Sequence, residues 1–431
     1  MNQTLIIRCI ISKKYQLMCI VLSLFSILFL TTDCQSQQAG ETGYEAPGIL
    51  RASEILPPEL LEGEHYKVME EVATYDLTNH FTISTAFGQF EVIGEDMLQI
   101  RIQEILAIVA LQEVKKTKGF RDAAEQAAMS PLKGARNLIV HPVDTVTGIP
   151  RGVGRLFAPE DDMFMDNVEY RVTEEMAGFF KLKLQHAHIL GVNVYTTNKI
   201  LQRELNGVTW AKFASGMRVK FNMEIFRSIY NAAFFTVNDT EFTQNMDQMI
   251  LDNTPENLAT LNRKKLKQMG TREEIVEKFL NHSILTPRHQ TVIVHALAEM
   301  RQAKNRRCFI EQANYSAYEE DAFFFQRIAE MMLDYHKNVE SIVEIIPARR
   351  AVVGYTAQKS IVATMPIDYV YWAERADKGV DALLHLKSQG RLVKSVKLII
   401  TGRVPPRVKR ELMERGIIVK ENREMTSYYN L

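Results

Sequence analysis

The chain has 431 residues, 46% of them hydrophobic and 24% charged, and its 52 basic side chains balance 52 acidic ones. That length allows two or three domains with cores of their own, and the zero net charge excludes a globally basic surface of the kind that tracks nucleic acid. Three of the four cysteines (Cys9, Cys19, Cys34) stand near the start, leaving Cys308 alone in the body, which excludes a disulfide framework or a cysteine metal site there.

Arg8, Lys13 and Lys14 precede an apolar run over 17–30. The run is shorter than the roughly 20 residues a bilayer span needs. A basic start, a short apolar stretch and a polar exit at Gln35-Ser36-Gln37-Gln38 read as an export signal. Residues 1–34 are therefore taken as a signal peptide or N-terminal anchor. Thr32 and Cys34 suit cleavage after Cys34. A lipidated Cys34 is the alternative, although Asp33 and Thr31 depart from that pattern. All versions place the body outside the cytoplasm, in the periplasm or cell envelope, with or without a membrane anchor.

Residues 35–64, rich in Gly, Pro and polar side chains, read as a linker pinned by a short contact at 55–61. Residues 66–93 read as strands. Phe81, Ile83, Thr85 and Phe87 alternate on one face, and the parity shift to Phe90 and Val92 predicts a bulge at Gly88. A helix over 97–114, apolar on more than one side, is expected to be deeply buried.

The most regular stretch is 130–157. On a helical wheel Leu138, Ile139, Pro142, Val143, Val146, Ile149, Val153, Leu156 and Phe157 share one arc of about 140°. Arg136, Asp144, Arg151 and Arg155 lie opposite. Pro131, Pro142 and Pro150 divide the run into short helices, each opening where a missing N–H costs little. An apolar face backed by basic side chains suits either the protein's own core or a membrane interface. Leu138, Val143, Val146 and Val153, with Arg151 and Arg155, are the candidate contacts for a membrane or partner. This segment closes an α+β unit over 65–158.

Residues 159–310 read as a helical region. Thr254-Pro255 and Thr286-Pro287 are N-caps followed by proline at the first helical position, and Thr271–Glu274 has the form of a capping box. The helices expected are 258–269, 272–279 and 288–300. Residues 311–424 form a third region: a long amphipathic helix over 318–339, strands at 342–346, 351–355 and 360–365, a helix over 367–386, a strand at 396–401, a helix over 406–415 and a last strand at 416–419. The order β-β-β-α-β-α-β suggests a mixed sheet with helices against it. The fold class is thus α+β and helix-rich, with a small N-terminal hairpin-plus-helix unit, a helical middle region and a C-terminal mixed α/β sheet domain.

No catalytic pattern emerges. His186 and His188 are two apart, and His289 and His295 are not at helical ligand spacing, so no metal or other cofactor is expected. Cys308 follows Arg306 and Arg307, which could lower its pKa, but one cysteine beside Phe309 and Ile310 reads as a core residue. The best candidate for an anion is Thr401-Gly402-Arg403 with Arg407, because it follows a buried strand and precedes a helix. Arg391, Lys394, Lys397, Lys409, Arg410 and Arg415 make the same end basic.

The strand–helix unit, the runs HPVDTVTGIPRGVGRLF (141–157) and GVNVYTTNKILQREL (191–205), and the terminal TGRVPPRVKRELMERG (401–416) together resemble uncharacterised exported bacterial proteins. The resemblance spans most of the chain after residue 34. It implies no activity and adds no site residue. The expectation is a cell-envelope binding or structural protein that contacts a membrane surface or an envelope protein. The alternative is an envelope enzyme acting on an anionic substrate at the C-terminal α/β domain. Nucleic acid is not an expected partner, and oligomeric state stays open.

Overall fold

A computed structural model of the protein describes residues 43–46, 48–75, 77–128, 174–227, 240–388 and 390–421. Residues 47–431 make one compact unit, separate from 1–46; all that follows concerns that larger unit. It is α+β and helix-rich, with an antiparallel sheet early in the chain and a mixed sheet late.

The first sheet begins earlier than the sequence suggests. Residues expected to be linker form β1 (Ile49–Arg51), two single-turn helices, α1 (Ala52–Ile55) and α2 (Pro58–Leu61), and β2 (Glu62–Gly63). They join β3 (Tyr66–Val68), β4 (Glu71–Tyr75), β5 (Thr78–Thr85) and β6 (Gly88–Ile93) in the order β1-β4-β5-β3-β2, with β6 along β5. Gly88 is not a bulge. Thr85 pairs with Gly88, so Ala86 and Phe87 are the two residues of a hairpin turn. That turn explains the parity shift: Ile83 lies opposite Phe90 and Phe81 opposite Val92, on one face.

The helix α3 (Glu95–Lys116) packs beside this sheet, with Leu98, Ile102, Ile105, Ile108 and Leu111 without solvent exposure. It is followed by α4 (Lys118–Ala128), α5 (Glu174–Ile189), α6 (Lys199–Ser215), a 3₁₀ turn (Met223–Phe226), α7 (Glu241–Asp252), α8 (Pro255–Gln268), α9 (Glu273–Leu280), α10 (Pro287–Glu299) and α11 (Arg307–Ala313). One apolar core joins the first sheet and α3 to Phe180, Leu201, Leu205, Phe226, Ile250 and Leu258. The boundary expected at 158 lies outside the described residues.

Local cap chemistry explains most helix starts. Thr254 and Thr286 each accept an N–H in the first turn ahead of a proline, and His289 completes a box with Thr286. The box expected at Thr271 does not form. Gly270, at φ +75°, ends α8 in the left-handed region, and the Thr271 N–H bonds back to the Leu266 carbonyl. Thr271 thus finishes the preceding helix, its hydroxyl is buried without a partner, and Arg272 starts α9 with no side-chain cap.

The helix α12 (Glu319–Asn338) is not amphipathic in place. Residues 321, 322, 324–333 and 335 are all buried, since α10 and the second sheet both pack against it. That sheet runs β11-β10-β9-β8-β7, comprising β7 (Ile342–Ala348), β8 (Ala351–Thr356), β9 (Ser360–Met365), β10 (Ser395–Ile400) and β11 (Ile417–Lys420). The first three strands are antiparallel, and β9, β10 and β11 are parallel through the crossovers α13 (Glu374–Ser388) and α14 (Pro406–Glu414). The helix expected from 367 starts only at Glu374, because the backbone of Ile367 and Asp368 is committed elsewhere: their carbonyls accept the N–H groups of Gly402 and Arg403.

Candidate functional site

Two charged places stand out, and the sequence points to only one. The turn after β10 holds Thr401, Gly402 and Arg403. Thr401 donates its hydroxyl to the Ile367 carbonyl at 3.2 Å. Gly402 is held against the 367–368 backbone so tightly that a Cβ there would lie 1.8 Å from the Asp368 carbonyl oxygen. The Gly402 and Arg403 N–H groups go to Ile367 and Asp368, and the Val404 N–H goes to the Glu421 carboxylate at 2.8 Å. Lys409 pairs with that same carboxylate, and its two positive neighbours Lys409 and Arg403 help hold the Glu421 carboxyl below its ordinary range, against burial. Exposed Arg403 donates to the Glu54 and Ile55 carbonyls. The turn therefore has an anion already, supplied by the chain itself. Arg407 is the second residue of α14. The basic residues around it are largely paired: Arg391 with Glu344, Lys397 with Glu340, Arg415 with Asp377.

Next to this turn Asp368 reaches the first half of the molecule. Its carboxylate accepts the N–H groups of Asn79 (2.7 Å) and Glu95 (3.1 Å), capping α3 where Gly94 has no side chain to do so. Burial pushes both the Asp368 and Glu95 carboxyls up, and Asp96 pushes both further; Glu95 is also raised by Asp368 itself.

The second place is a cleft of about 450 Å³ between α3, the loop after α5, α7, the start of α10 and α12. Asp96, Ile100, Gln103 and Glu104 line it from α3, a spacing that keeps one helical face inward. Glu319, Phe323, Gln326, Arg327 and Glu330 line it from α12 at the same period. Gln103 fixes the third wall by donating to the Leu190 carbonyl at 2.6 Å. Gly191, at φ +66°, makes room for that amide, since a Cβ there would come within 2.8 Å of it.

The charges in the cleft are ordered in chains. Arg327, 2% exposed, pairs with Asp96 at 3.1 Å and Glu330 at 2.9 Å. Burial opposes its charge, but those two carboxylates outweigh burial and raise its pKa. Glu104 accepts from Arg101, Thr196 and Asn198, and Asn198 in turn caps α6. Burial pushes the Glu104 carboxyl up, Arg101 pulls it back, Glu319 adds to the rise, and the net direction is upward. Arg101 and the Thr197 hydroxyl both reach Glu319, and Arg288 pairs with Asp247 at 2.6 Å. Among the described lining residues one uncharged polar atom is left over: Gln326, 5% exposed, gives its amide N–H to Glu330 at 3.1 Å, while its Oε1 is buried without a partner.

Sequence reasoning missed this cleft. The available signal was a polar ladder, Glu319, Gln326-Arg327 and Glu330, inside an otherwise apolar helix, and Gln103-Glu104 inside another. The candidate contacts Leu138, Val143, Val146, Arg151, Val153 and Arg155, and the segment 1–34, lie outside the described residues. Among the described residues no helix is long and apolar enough to cross a membrane, and no group of three His, Cys, Asp or Glu could hold a metal ion. His186 is buried against Thr209 and Phe221, whereas His188 is exposed at the rim of the cleft. Cys308 is buried with its thiol pushed up to about 12 by burial, so its arginine neighbours do not activate it.

No family model matches the chain, and no curated protein or solved structure matches it either.

Proposed function

We propose that the protein works by binding, in the cell envelope to which its leading segment would send it, and that the cleft between α3 and α12 holds a small polar ligand. The observation that carries this reading is Gln326. A buried amide oxygen without a donor costs about 1–3 kcal/mol, and it sits in the wall of a cleft whose volume, about 450 Å³, falls within the range of small-molecule sites. Burial and ordered charge support binding equally. The anionic-substrate alternative has less behind it, because the amides at 402–404 are already bonded within the chain.

Native mass spectrometry of protein purified from cells that make it is the test. The expected result is a small non-covalent adduct that Gln326→Leu loses while the fold, followed by circular dichroism, is kept. An adduct-free wild type, or an adduct indifferent to Gln326→Leu, removes the proposal. Contact with a membrane through 138–157 is a separate proposal, resting on the apolar arc and flanking arginines. Its measure is liposome flotation, which Val143→Asp with Val153→Asp should abolish; unchanged flotation by a folded variant discards it.

A further inference from the structure

We infer that the ligand of the cleft is an organic cation carrying N–H donors, an ammonium or a guanidinium on a short apolar body; this rests on the binding reading above and specifies it. Three features converge on that class.

The first is charge. The lining holds the carboxylates of Asp96, Glu104, Asp247, Glu319 and Glu330. The guanidiniums paired with them are those of Arg101, Arg288 and Arg327. Among the described residues the carboxylates outnumber these partners by two. Glu104 and Glu330 are buried, while Asp96, Glu319 and Asp247 keep 29–41% of their side-chain exposure; water screens part of the excess, and a positive ligand that displaces this water takes its place. An anion would meet the same excess with each of the three arginines already engaged.

The second is the identity of the orphan atom. An amide of this kind can be turned end for end in a structure, so its unpaired atom needs a chemical argument. Here the neighbour decides it. Glu330 accepts on one side of the Gln326 amide. Turning the amide would set its oxygen against a carboxylate oxygen, two acceptors facing each other. The nitrogen therefore faces Glu330, and the vacant group is an acceptor. What it lacks is a donor, which ammonium and guanidinium groups supply and a carboxylate or phosphate does not; the oxygen itself is closed to solvent, so a ligand head reaches it only with a turn of the Gln326 side chain.

The third is the shape of the remaining wall. Ile100, Val192, Ile250, Leu251 and Phe323 also line the cleft. They give a methylene or similarly apolar body a surface to cover while its charged head meets Gln326 and Glu330. No three described carboxylates, histidines or cysteines stand close enough to share a metal ion, so the donor-bearing cation is organic.

The experiment holds the body constant and changes the head. n-Butylammonium, n-butylguanidinium, n-butanol and butyrate are titrated into the full-length protein, with binding read by calorimetry and by the shift in thermal midpoint. One of the two cations should bind about ten-fold more tightly than butanol and butyrate, and Gln326→Leu should remove about ten-fold of its affinity, as expected for a hydrogen bond to a charged donor. The head-group ranking on the wild type stands even if the variant folds poorly. Butyrate or butanol binding as well as the cations overturns the charge class; if Gln326→Leu weakens that binding, the cleft itself stands. No binding by any of the four, with a ligand adduct still present by native mass spectrometry, also overturns the cation class and leaves the cleft. Loss of both ends both readings.

Discussion

The turn at 401–404 and the cleft at 319–330 are both rich in charge, and they differ in what is left over. At the turn every amide is used: Gly402 and Arg403 bond to the 367–368 backbone, and Val404 bonds to Glu421, which also draws in Lys409. In the cleft the ion pairs are as well made, yet among the described residues the carboxylates outnumber their partners and one buried amide oxygen has none. The lesson is that basic residues at the end of a strand do not make a binding site. An unsatisfied buried group in the wall of a cleft is a better marker, because a folded protein tolerates it only against a cost; one away from any cleft, such as the Thr271 hydroxyl, marks no site.

The largest expected effect tests the cleft. Arg327→Met leaves Asp96 and Glu330 without their shared partner, and breaking such a buried set costs about 3–5 kcal/mol. Urea unfolding measures it. A loss below about 1 kcal/mol would mean these charges are solvated, and the contrast with the turn would disappear. Gly402→Ala comes next. The 1.8 Å approach to the Asp368 oxygen cannot absorb a methyl group without moving backbone, and a cost of about 3 kcal/mol is expected. A variant as stable as wild type would show the turn to be slack, and so available to a ligand after all.

Between the two places lies the Asp368–Glu95 pair, and its effect is in the pH profile. Both carboxyls are raised in the folded state, by burial first and then by their acidic neighbours, while Asn79 and Arg403 oppose the rise at Glu95. The folded chain therefore holds protons that the unfolded chain releases. Stability from this pair is whole below the ordinary carboxylate range, about pH 4, and is lost as pH rises through neutrality. Glu95→Gln keeps an acceptor for Asn79 and removes one charge, so unfolding midpoints should decline less between pH 5 and 9 (about that span suffices). An unchanged slope assigns the pH dependence elsewhere. The smallest effect is at Arg403→Ala: two hydrogen bonds from an exposed side chain, at 3.2 and 3.4 Å, are worth at most about 1 kcal/mol. A much larger loss would restore the turn as a candidate site.

What could be read from the sequence was local. Thr254-Pro255 and Thr286-Pro287 announce helix starts because the cap and its target are three residues apart. The parallel half of the second sheet is legible in β9 and β10 as apolar runs. Thr271 misled because two motifs compete for it and the terminating one, through Gly270, wins. The late start of α13 was hidden because Ile367 and Asp368 are held by residues far along the chain. The cleft was hidden for the same reason. Its walls come from α3, α7, α10, α12 and a loop, and no window of sequence holds more than a fraction of the charges that meet there.

Asp368 also has a consequence for how the protein is made. The first turn of α3 is completed by a side chain 273 positions downstream of Glu95. At about 5–20 residues per second, a ribosome takes on the order of tens of seconds to cover that distance. Throughout that interval the opening sheet and its long helix lack their final clasp. The early third of the chain thus stays easier to unravel during synthesis than in the finished molecule, and only when the stretch after β9 emerges can it lock.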